Sequence, residues 1–457
     1  MSRRPLWQQV YERFDPDRPA GLPAWRADRP LSPAEAIAES LDLPFGDPRV
    51  LVMGTVGTGK TTELLRLAET RGGKELVIFL DLERHFADVL GDAPALQHVQ
   101  SWEVCFLAAM ALIRVTSERL GLELPDSHLR DLARAWAALA RTTGATATPP
   151  QIDLSAAARS MVVLTSAVAP IVTAAPLAAG IAAGLRTLEA AAGALKWSLP
   201  VGVGKRSLPD QDTEMQTLLA CVNVLIGLVQ KQSSRVLLIL DGLDRIRDLE
   251  RAKALFVESQ MLAQLACPLV ICGPFALRHD PAITAVRRFT EIRVLVNEPV
   301  LLHDDPDQHG PGVRFFCELF DRRTSDLGAR DLVTRPLLER LAYRSGGRAR
   351  DFVRFIRELA KLAWQADAPA ATEALVQRVL DEQRRLRETG LHKGHIRLLE
   401  AIAEDWRHEL PEGELAQELL SYGSLLPYPN ESEWYYPHPL LTMHLVRPKR
   451  TASPPQP

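Results

Sequence analysis

The feature that most constrains this chain is a glycine-rich segment, Gly54-Thr55-Val56-Gly57-Thr58-Gly59-Lys60-Thr61, called the glycine loop below. Its glycines let consecutive backbone N–H groups approach an anion without a clash from a Cβ atom. Lys60 supplies a positive charge for the β- and γ-phosphates of a nucleotide, and Thr61 offers its hydroxyl to a magnesium ion. An apolar run precedes the loop and helical periodicity follows it, so the N-terminal end of a helix faces the anion. The pattern predicts a nucleotide-binding segment that ends with Thr62.

Short apolar runs recur along the chain, with helical segments between them. Buried strands of a parallel sheet are apolar on both faces and therefore read as continuous runs. The alternation over residues 49–297 predicts an α/β fold, in which a parallel sheet carries helices on both faces. The predicted strands are Arg49–Met53, Leu76–Leu80, Val236–Leu240, Leu269–Cys272 and Glu291–Val296. Helices are predicted over residues 61–70, 102–120, 215–229 and 249–265.

The third predicted strand runs directly into acidic residues, in the segment VLLILDGLD. Asp241 ends this strand, where its carboxylate would join Thr61 in binding magnesium. Hydrolysis also needs a group that orients water, and Asp244 is the nearest carboxylate. The alternative is that Asp244 pairs with Arg245 or Arg247 and only shapes the turn.

The length of 457 residues exceeds what one compact core commonly holds. We expect a P-loop NTPase core over residues 48–300, with an Ala-rich insert at about 121–205, and a helical lid over 301–390. A winged-helix-like domain is expected over residues 391–447, because two helical stretches precede a hairpin pattern, LLPYPNESEWYY. Residues 1–47 form an N-terminal extension, and residues 448–457 a disordered tail.

The order of glycine loop, acidic strand end and helical lid resembles the additional-strand class of P-loop NTPases. Within that class, the sequence Asp-Gly-Leu-Asp at residues 241–244 is similar to STAND and NACHT signalling ATPases, and the following Arg245 extends the similarity to the KAP group. AAA+ ATPases usually carry Glu directly after the strand-end Asp, whereas this chain has Gly242. The resemblance covers roughly residues 45–390 and implies ATP and Mg²⁺ as cofactors.

The same resemblance assigns roles to several arginines. Arg278 follows the fourth strand, near the place of a sensor-1 residue. The pair Arg287 and Arg288 is similar to the AAA+ segment that supplies an arginine finger to a neighbouring subunit. Arg348 and Arg350, after two glycines, resemble the sensor-2 start of a lid helix and would reach the γ-phosphate. The spacing of Arg278 departs from the usual sensor-1 pattern. For the finger pair and for the sensor-2 arginines, a solvated surface arginine is the alternative.

The winged-helix-like segment is rich in glutamate, at residues 412, 414, 418, 431 and 433. Phosphate contacts require Lys and Arg. We therefore favour a module that packs on the protein over one that binds DNA. The aromatic group Trp434, Tyr435 and Tyr436 is assigned to packing of a wing strand, with base stacking as the alternative.

Other features of the sequence argue against a membrane-spanning segment, a disulfide framework, a secretory signal and a metal site. Residues 161–185 lack charge and are long enough to cross a membrane, but Pro170 and Pro176 interrupt the segment and Ala dominates it. Five scattered cysteines indicate reduced thiols in a cytoplasmic protein. The start of the chain lacks the apolar segment of a secretory signal. His392 and His395 lie one helical turn apart, without the further ligands of a metal site, and are interpreted as solvated polar residues.

Together these features predict a STAND/AAA+-like regulatory ATPase, with slow or trigger-dependent turnover. Nucleotide state would control self-association or engagement of a separate effector protein, in bacterial defence or signalling by family analogy. The first alternative is a DNA-dependent AAA+-like ATPase of the loader or transposition type. The second is a KAP-like membrane-associated NTPase. DNA is the less favoured partner, and a membrane is not expected to be one.

Overall fold

The computed structural model describes residues 2–20, 22–30, 32–44, 46–89, 91–142, 209–232, 235–285, 288–429 and 433–448. We number the strands and the α-helices of at least eight residues. The helices are α1 Arg4–Arg13, α2 Pro33–Asp42, α3 Lys60–Arg71, α4 Ser101–Leu120, α5 Asp126–Thr142, α6 Pro209–Gln232, α7 Val313–Thr324, α8 Arg335–Arg344, α9 Ala349–Gln365, α10 Glu373–Glu388, α11 Lys393–Glu404 and α12 Glu414–Ser421. The strands are β1 Arg49–Met53, β2 Leu76–Asp81, β3 Val236–Asp241, β4 Leu269–Gly273, β5 Glu291–Val294, β6 Leu425–Tyr428 and β7 Trp434–Pro437.

The first five strands form one parallel sheet in the order β2-β3-β4-β1-β5. Strand β4 therefore lies between β1, which precedes the glycine loop, and β3, which ends at Asp241. This inserted strand is the one after which the additional-strand class is named. The α/β P-loop NTPase fold predicted from the sequence is confirmed.

The chain divides into two compact units. The sheet unit comprises Pro33–Met53 and Glu63–Val294. The helical unit comprises the described residues up to Ser32, the segment Gly54–Thr62 and the described residues from Leu295 onward. The glycine loop thus belongs to the helical unit, together with segments far from it in the sequence.

Within the sheet unit, alternate residues of strands β1 to β4 are buried in different apolar clusters. Leu51 and Ile78 are buried in the larger cluster, which includes side chains of α4, α5 and α6. Val50 and Phe79 are buried in a smaller cluster with α2 and α3. Burial on both faces explains why these strands read as uninterrupted apolar runs.

The part of the chain expected to be an insert contributes to the core of the sheet unit. Helix α5 lies in this region, and its Leu132, Trp136 and Leu139 are buried in the larger cluster. The membrane-length segment 161–185 lies outside the described residues. Among those described, one helical stretch, Asp212–Gln232, is long and apolar enough to span a membrane. It belongs to α6, which buries Leu218 in the same cluster.

The predicted helix over 249–265 is wrong beyond its first turns. A regular α-helix covers only Leu249–Lys253, and the helical segment that continues it ends at Glu258. The carbonyls of Val257, Glu258 and Ser259 all accept hydrogen bonds from Arg288 Nη1, at 2.8, 2.9 and 2.9 Å. A tertiary contact therefore satisfies carbonyls that a continuing helix would have used.

The helical unit is built on α1 and on helices α7 to α12. Trp7 of α1 is fully buried and donates its indole N–H to the carbonyl of Ala368 at 2.8 Å. Strands β6 and β7, which pair antiparallel to each other after α11 and α12, are called the C-terminal hairpin below. Two helices precede these strands, and the winged-helix-like domain expected here stays a prediction.

Candidate nucleotide-binding site

The backbone of the glycine loop has conformations that require glycine. Gly57 and Gly59 have φ angles of +94° and +102°, in the left-handed region. A Cβ atom on Gly54 would lie 2.4 Å from the carbonyl oxygen of Leu295. The motif glycines are therefore required by local geometry, which supports the prediction of a phosphate-binding backbone.

Lys60 begins helix α3, and Thr61 and Thr62 lie in the first turn of that helix. Lys60 is 4% exposed, and its ammonium donates to the carbonyls of Gly54 and Thr55 at 2.7 and 2.9 Å. The lysine charge is thus held inside the glycine loop, where the helix also presents its N-terminal N–H groups. This combination is the electrostatic requirement for a nucleotide phosphate.

The loop is also held from outside by the start of helix α9. Arg348 Nη2 donates to the carbonyl of Val56 at 2.6 Å, and the backbone N–H of Arg350 donates to the carbonyl of Gly57 at 3.1 Å. Both arginines are predicted from the sequence to contact the γ-phosphate. The structure places the guanidinium of Arg348 on a loop carbonyl, and the assignment to the γ-phosphate remains a prediction.

A third arginine at the glycine loop escaped the sequence analysis. Arg29, from the N-terminal extension, is 7% exposed and donates from Nη2 to the carbonyl of Thr58 at 2.8 Å. Its Nε lies 2.7 Å from Glu298 Oε1. No motif marks Arg29, because the segment before the first strand has an irregular pattern.

Arg348 also contacts a buried ionic cluster in the helical unit. Its Nη1 lies 3.0 Å from Asp351 Oδ2, which also lies 2.7 Å from Arg387 Nη2 and 3.3 Å from His438 Nε2. Burial alone would raise the pKa of Asp351, but the charges of Arg348 and Arg387 outweigh it and hold this pKa well below its ordinary value. Asp351 is therefore a carboxylate surrounded by cations, since Arg354 Nη1 also lies 3.7 Å from its Oδ1.

In the sheet unit, Asp241 ends β3 as predicted. It is 3% exposed, and its Oδ1 accepts the N–H of Gly242 at 2.8 Å. Asp81 ends the neighbouring strand β2 and is its register partner. Burial, and then the charge of Asp241, raise the pKa of Asp81 to about 7. Sequence analysis missed Asp81, although both strands visibly end in Asp.

The structure explains the glycine after Asp241. Gly242 has a φ of +93°, and a Cβ atom there would lie 2.6 Å from the backbone nitrogen of Glu83. The Glu that AAA+ ATPases carry at this place would displace the backbone of Glu83. Asp244 lies in the following turn, and Arg245 pairs with Glu83 at 2.9 Å. The water-orienting role of Asp244 stays a prediction.

Three arginines remain for which the sequence predicted a role: Arg278, Arg287 and Arg288. Arg288 binds three carbonyls of its own unit, as described above, and Arg287 lies outside the described residues. Arg278 is exposed in the short helix Phe275–His279 after β4. The finger and sensor-1 roles remain predictions.

The histidine pair needs a correction. His395 is 4% exposed rather than solvated, because it closes the N-terminal turn of α11 with His392, whose Nδ1 accepts the N–H of Gly394 at 3.0 Å. Within the described ranges, no group of at least three His, Cys, Asp or Glu side chains is arranged to bind a metal.

No protein-family model and no curated protein sequence matches this chain. Among solved structures it is similar to the ADP form of the Aeropyrum pernix ORC2 protein, at 14% identity over 94% of each chain, with a TM-score of 0.42. It is similar to Drosophila ORC bound to DNA, at 12% identity over 87% of this chain and 72% of that chain, with a TM-score of 0.37. The Thermotoga maritima RuvB Holliday junction branch migration motor matches 50% of this chain and 82% of that chain, at 14% identity and a TM-score of 0.26.

The assignment of the fold rests on the chain's own geometry. The glycine loop has the required backbone conformation, and the strand order places β4 between the strand before the loop and the strand that ends at Asp241. The chain therefore has an α/β P-loop NTPase core with a helical C-terminal part.

Proposed function

We propose that this chain is an AAA+-like ATPase that acts as a regulatory switch, coupling its nucleotide state to self-association or to engagement of an effector protein. Lys60, Thr61 and Asp241 would hold the phosphates and magnesium. Bound magnesium would neutralise charge on the β- and γ-phosphates during transfer to water. Asp244 is proposed to orient that water.

The observation that carries the switch proposal is the double contact of Arg348. One nitrogen of its guanidinium binds the carbonyl of Val56 in the glycine loop, and another binds Asp351. Asp351 in turn binds His438, which directly follows β7. A change in loop conformation would therefore alter the charge balance around a buried carboxylate next to the C-terminal hairpin.

A second contact, made by Arg387, connects Asp351 with the residues just before the C-terminal hairpin. Arg387, which also binds Asp351, donates from Nη1 to the carbonyl of Gly423 at 2.8 Å. Gly423 lies between α12 and β6, and a Cβ atom there would lie 2.5 Å from Arg348 Nη1. The loop, the lid and the C-terminal hairpin thus share one compact polar cluster. Moving a two-state switch from 1:99 to 99:1 requires about 5.5 kcal/mol of differential affinity, and charge-assisted contacts of this kind are among the strongest available.

The C-terminal hairpin supports packing over DNA binding. All residues of β6 and β7 are buried, including the aromatic Trp434, Tyr435 and Tyr436. The hydroxyl of Tyr428 donates to the carbonyl of Gly346, at the start of the lid helix, at 3.0 Å. These aromatic rings are buried within the helical unit, so they are not exposed for stacking on nucleobases. For this reason the DNA-dependent alternative is less favoured.

The test is ATP turnover by the purified protein, with and without double-stranded DNA. Lys60→Ala serves as the blank, because it removes the loop cation and should abolish ATP binding. Asp241→Ala should weaken the Mg²⁺ dependence of binding or turnover. Slow, Lys60-dependent turnover that DNA leaves unchanged supports the switch, whereas strong stimulation by DNA would replace it with the loader alternative.

Self-association is measured on the same preparations by light scattering. The switch predicts that the mass distribution differs between ATP and ADP, and that Lys60→Ala loses this difference. Equal mass distributions with either nucleotide would leave only an effector protein as the output. The membrane alternative is addressed by fractionation, since it requires the protein to sediment with membranes in the absence of detergent.

A further inference from the structure

Three consecutive carbonyls of the glycine loop accept hydrogen bonds from outside the loop. The donors are Arg348 for Val56, the backbone N–H of Arg350 for Gly57, and Arg29 for Thr58. In a trans peptide, the C=O and the next N–H point in opposite directions because the unit is planar. Holding each carbonyl on the outer side therefore turns the following N–H toward the inner side.

The third of these contacts comes from a part of the chain that sequence analysis left without a role. We propose that Arg29 is a positioning residue of the nucleotide site: by binding the carbonyl of Thr58, it directs the N–H of Gly59 at the phosphates. The inference rests on the proposed nucleotide binding. The left-handed φ of +102° at Gly59 is the conformation in which the chain continues from this peptide into helix α3.

The surroundings of Arg29 fix its guanidinium in place. Glu298 forms an ion pair with it at 2.7 Å, and the exposed fractions of the two side chains are 5% and 9%. The guanidinium carbon also lies 5.3 Å from the centre of the Phe315 ring. A buried, paired and stacked arginine has few alternative conformations, so its remaining hydrogen bond can restrain the loop.

Packing alone does not explain an arginine at this position. Arg29 Nη1 is buried and has no acceptor among the residues that the structure describes. Burying an unsatisfied donor costs free energy, which an apolar or amide side chain of similar size would avoid. The arginine is therefore better explained by its bond to the loop than by the space it fills.

The chain offers a closely matched control in Arg323. This residue is 5% exposed, donates from Nη1 to the carbonyl of Arg13 at 3.0 Å, and lies 5.2 Å from the Phe14 ring. One of its nitrogens, Nε, is likewise buried without an acceptor within the described chain. Arg323 belongs to the same unit but binds helix α1 instead of the glycine loop.

The experiment compares Arg29→Gln with Arg323→Gln in the full chain. Affinity for Mg-ADP and Mg-ATP is measured by calorimetry, and the unfolding temperature is measured without nucleotide. Both variants should unfold at a lower temperature than the parent protein. Only Arg29→Gln should raise the Kd for both nucleotides, by about tenfold, the factor that corresponds to one hydrogen bond.

An equal loss of affinity in the two variants, or an unchanged Kd in Arg29→Gln, would overturn the inference. If Arg29→Gln does not fold, Arg29→Lys and Arg323→Lys replace the pair. Lysine keeps the charge beside Glu298 but loses the planar fork of donors. Arg29→Lys should then bind both nucleotides more weakly than Arg323→Lys, and parental affinity in Arg29→Lys would refute the role. Absence of nucleotide binding in the parent protein would instead refute the proposed function, and this inference with it.

Discussion

At the scale of single residues, Gly242 shows how backbone geometry restricts the chemistry of a site. Its left-handed φ and its closeness to Glu83 exclude a side chain directly after Asp241. A carboxylate for hydrolysis must then come from another position. This restriction is consistent with the slow or trigger-dependent turnover proposed for the protein.

Gly242→Ala should destabilise the protein more than Gly121→Ala. Both glycines have positive φ, +93° and +60°, so both variants bear the cost of a left-handed alanine, about 1 kcal/mol. Only the alanine at 242 also meets a backbone atom, whereas nothing lies within 4 Å of a Cβ at 121. Urea unfolding of the two variants measures the difference. Equal destabilisation would show that the backbone near Glu83 adjusts freely.

The buried carboxyl of Glu103 is expected to make the stability of the protein depend on pH. Burial raises its pKa to about 7 from an ordinary value of 4.5, although a hydrogen bond from the backbone N–H of Gln100 opposes the shift. Because the folded pKa is the higher one, the folded state retains a proton that the unfolded state loses. The contribution of Glu103 to stability is therefore complete below about pH 4.5 and is lost as the pH rises to about 7.

Glu103→Gln removes the ionisable group and with it the loss of stability at higher pH. The amide oxygen of glutamine can still accept the hydrogen bond from the backbone N–H of Gln100 at the start of α4. Relative to the parent protein, its free energy of unfolding should increase between pH 4.5 and 7, by roughly 3 kcal/mol at most. Urea unfolding at several pH values measures the effect. Glu118→Gln, at the far end of the same helix and 42% exposed, is the control and should show no such trend. Parallel pH profiles for Glu103→Gln and the parent would contradict the assignment.

At the scale of elements, Arg288 ends a helical segment through the carbonyls that it binds. Arg288→Ala should lower the free energy of unfolding by about 1–3 kcal/mol, since two half-buried acceptors and one exposed acceptor lose their donor. Thermal unfolding checks this prediction. The loss should occur in monomer and assembly alike, because the contacts lie within one unit.

The arginine finger is tested separately with Arg287→Ala. A finger acts on the nucleotide of a neighbouring subunit, so this variant should lower ATP turnover only at protein concentrations that support assembly. An equal loss of turnover in dilute, monomeric Arg287→Ala would rule out a finger acting between subunits.

At the scale of the whole molecule, the helical unit joins parts of the chain that are far apart in sequence. Asp351 of α9 binds Arg348, Arg387 of α10 and His438, the residue after the C-terminal hairpin. Asp351→Asn would leave the buried guanidinium of Arg348 and the half-buried guanidinium of Arg387 without their counter-charge. It should destabilise the helical unit by about 3–5 kcal/mol and make the C-terminal segment more sensitive to protease.

Asp381→Asn is the control for that prediction. Asp381 pairs with Arg384 one turn away on α10, and its side chain is 32% exposed, so the change should cost at most about 1 kcal/mol. Limited proteolysis and thermal unfolding are compared for the two variants, each with and without ATP. If Asp351→Asn retained parental stability and nucleotide response, the polar cluster would not be the link between loop and hairpin.

The sequence by itself determined the fold class, the glycine loop and the position of Asp241. These features are local: a buried strand is recognised by its apolar run, and a phosphate-binding turn by glycines at fixed spacing. The tertiary structure decided the rest. Arg29 and Thr58, which are in contact, are separated by 29 positions in the sequence, and Arg348 and Val56 by 292. Arg288 and the helix end that it binds are separated by about 30 positions. Arginines have no periodic pattern that would reveal such partners, because their hydrogen bonds depend on which backbone carbonyls the fold brings within reach.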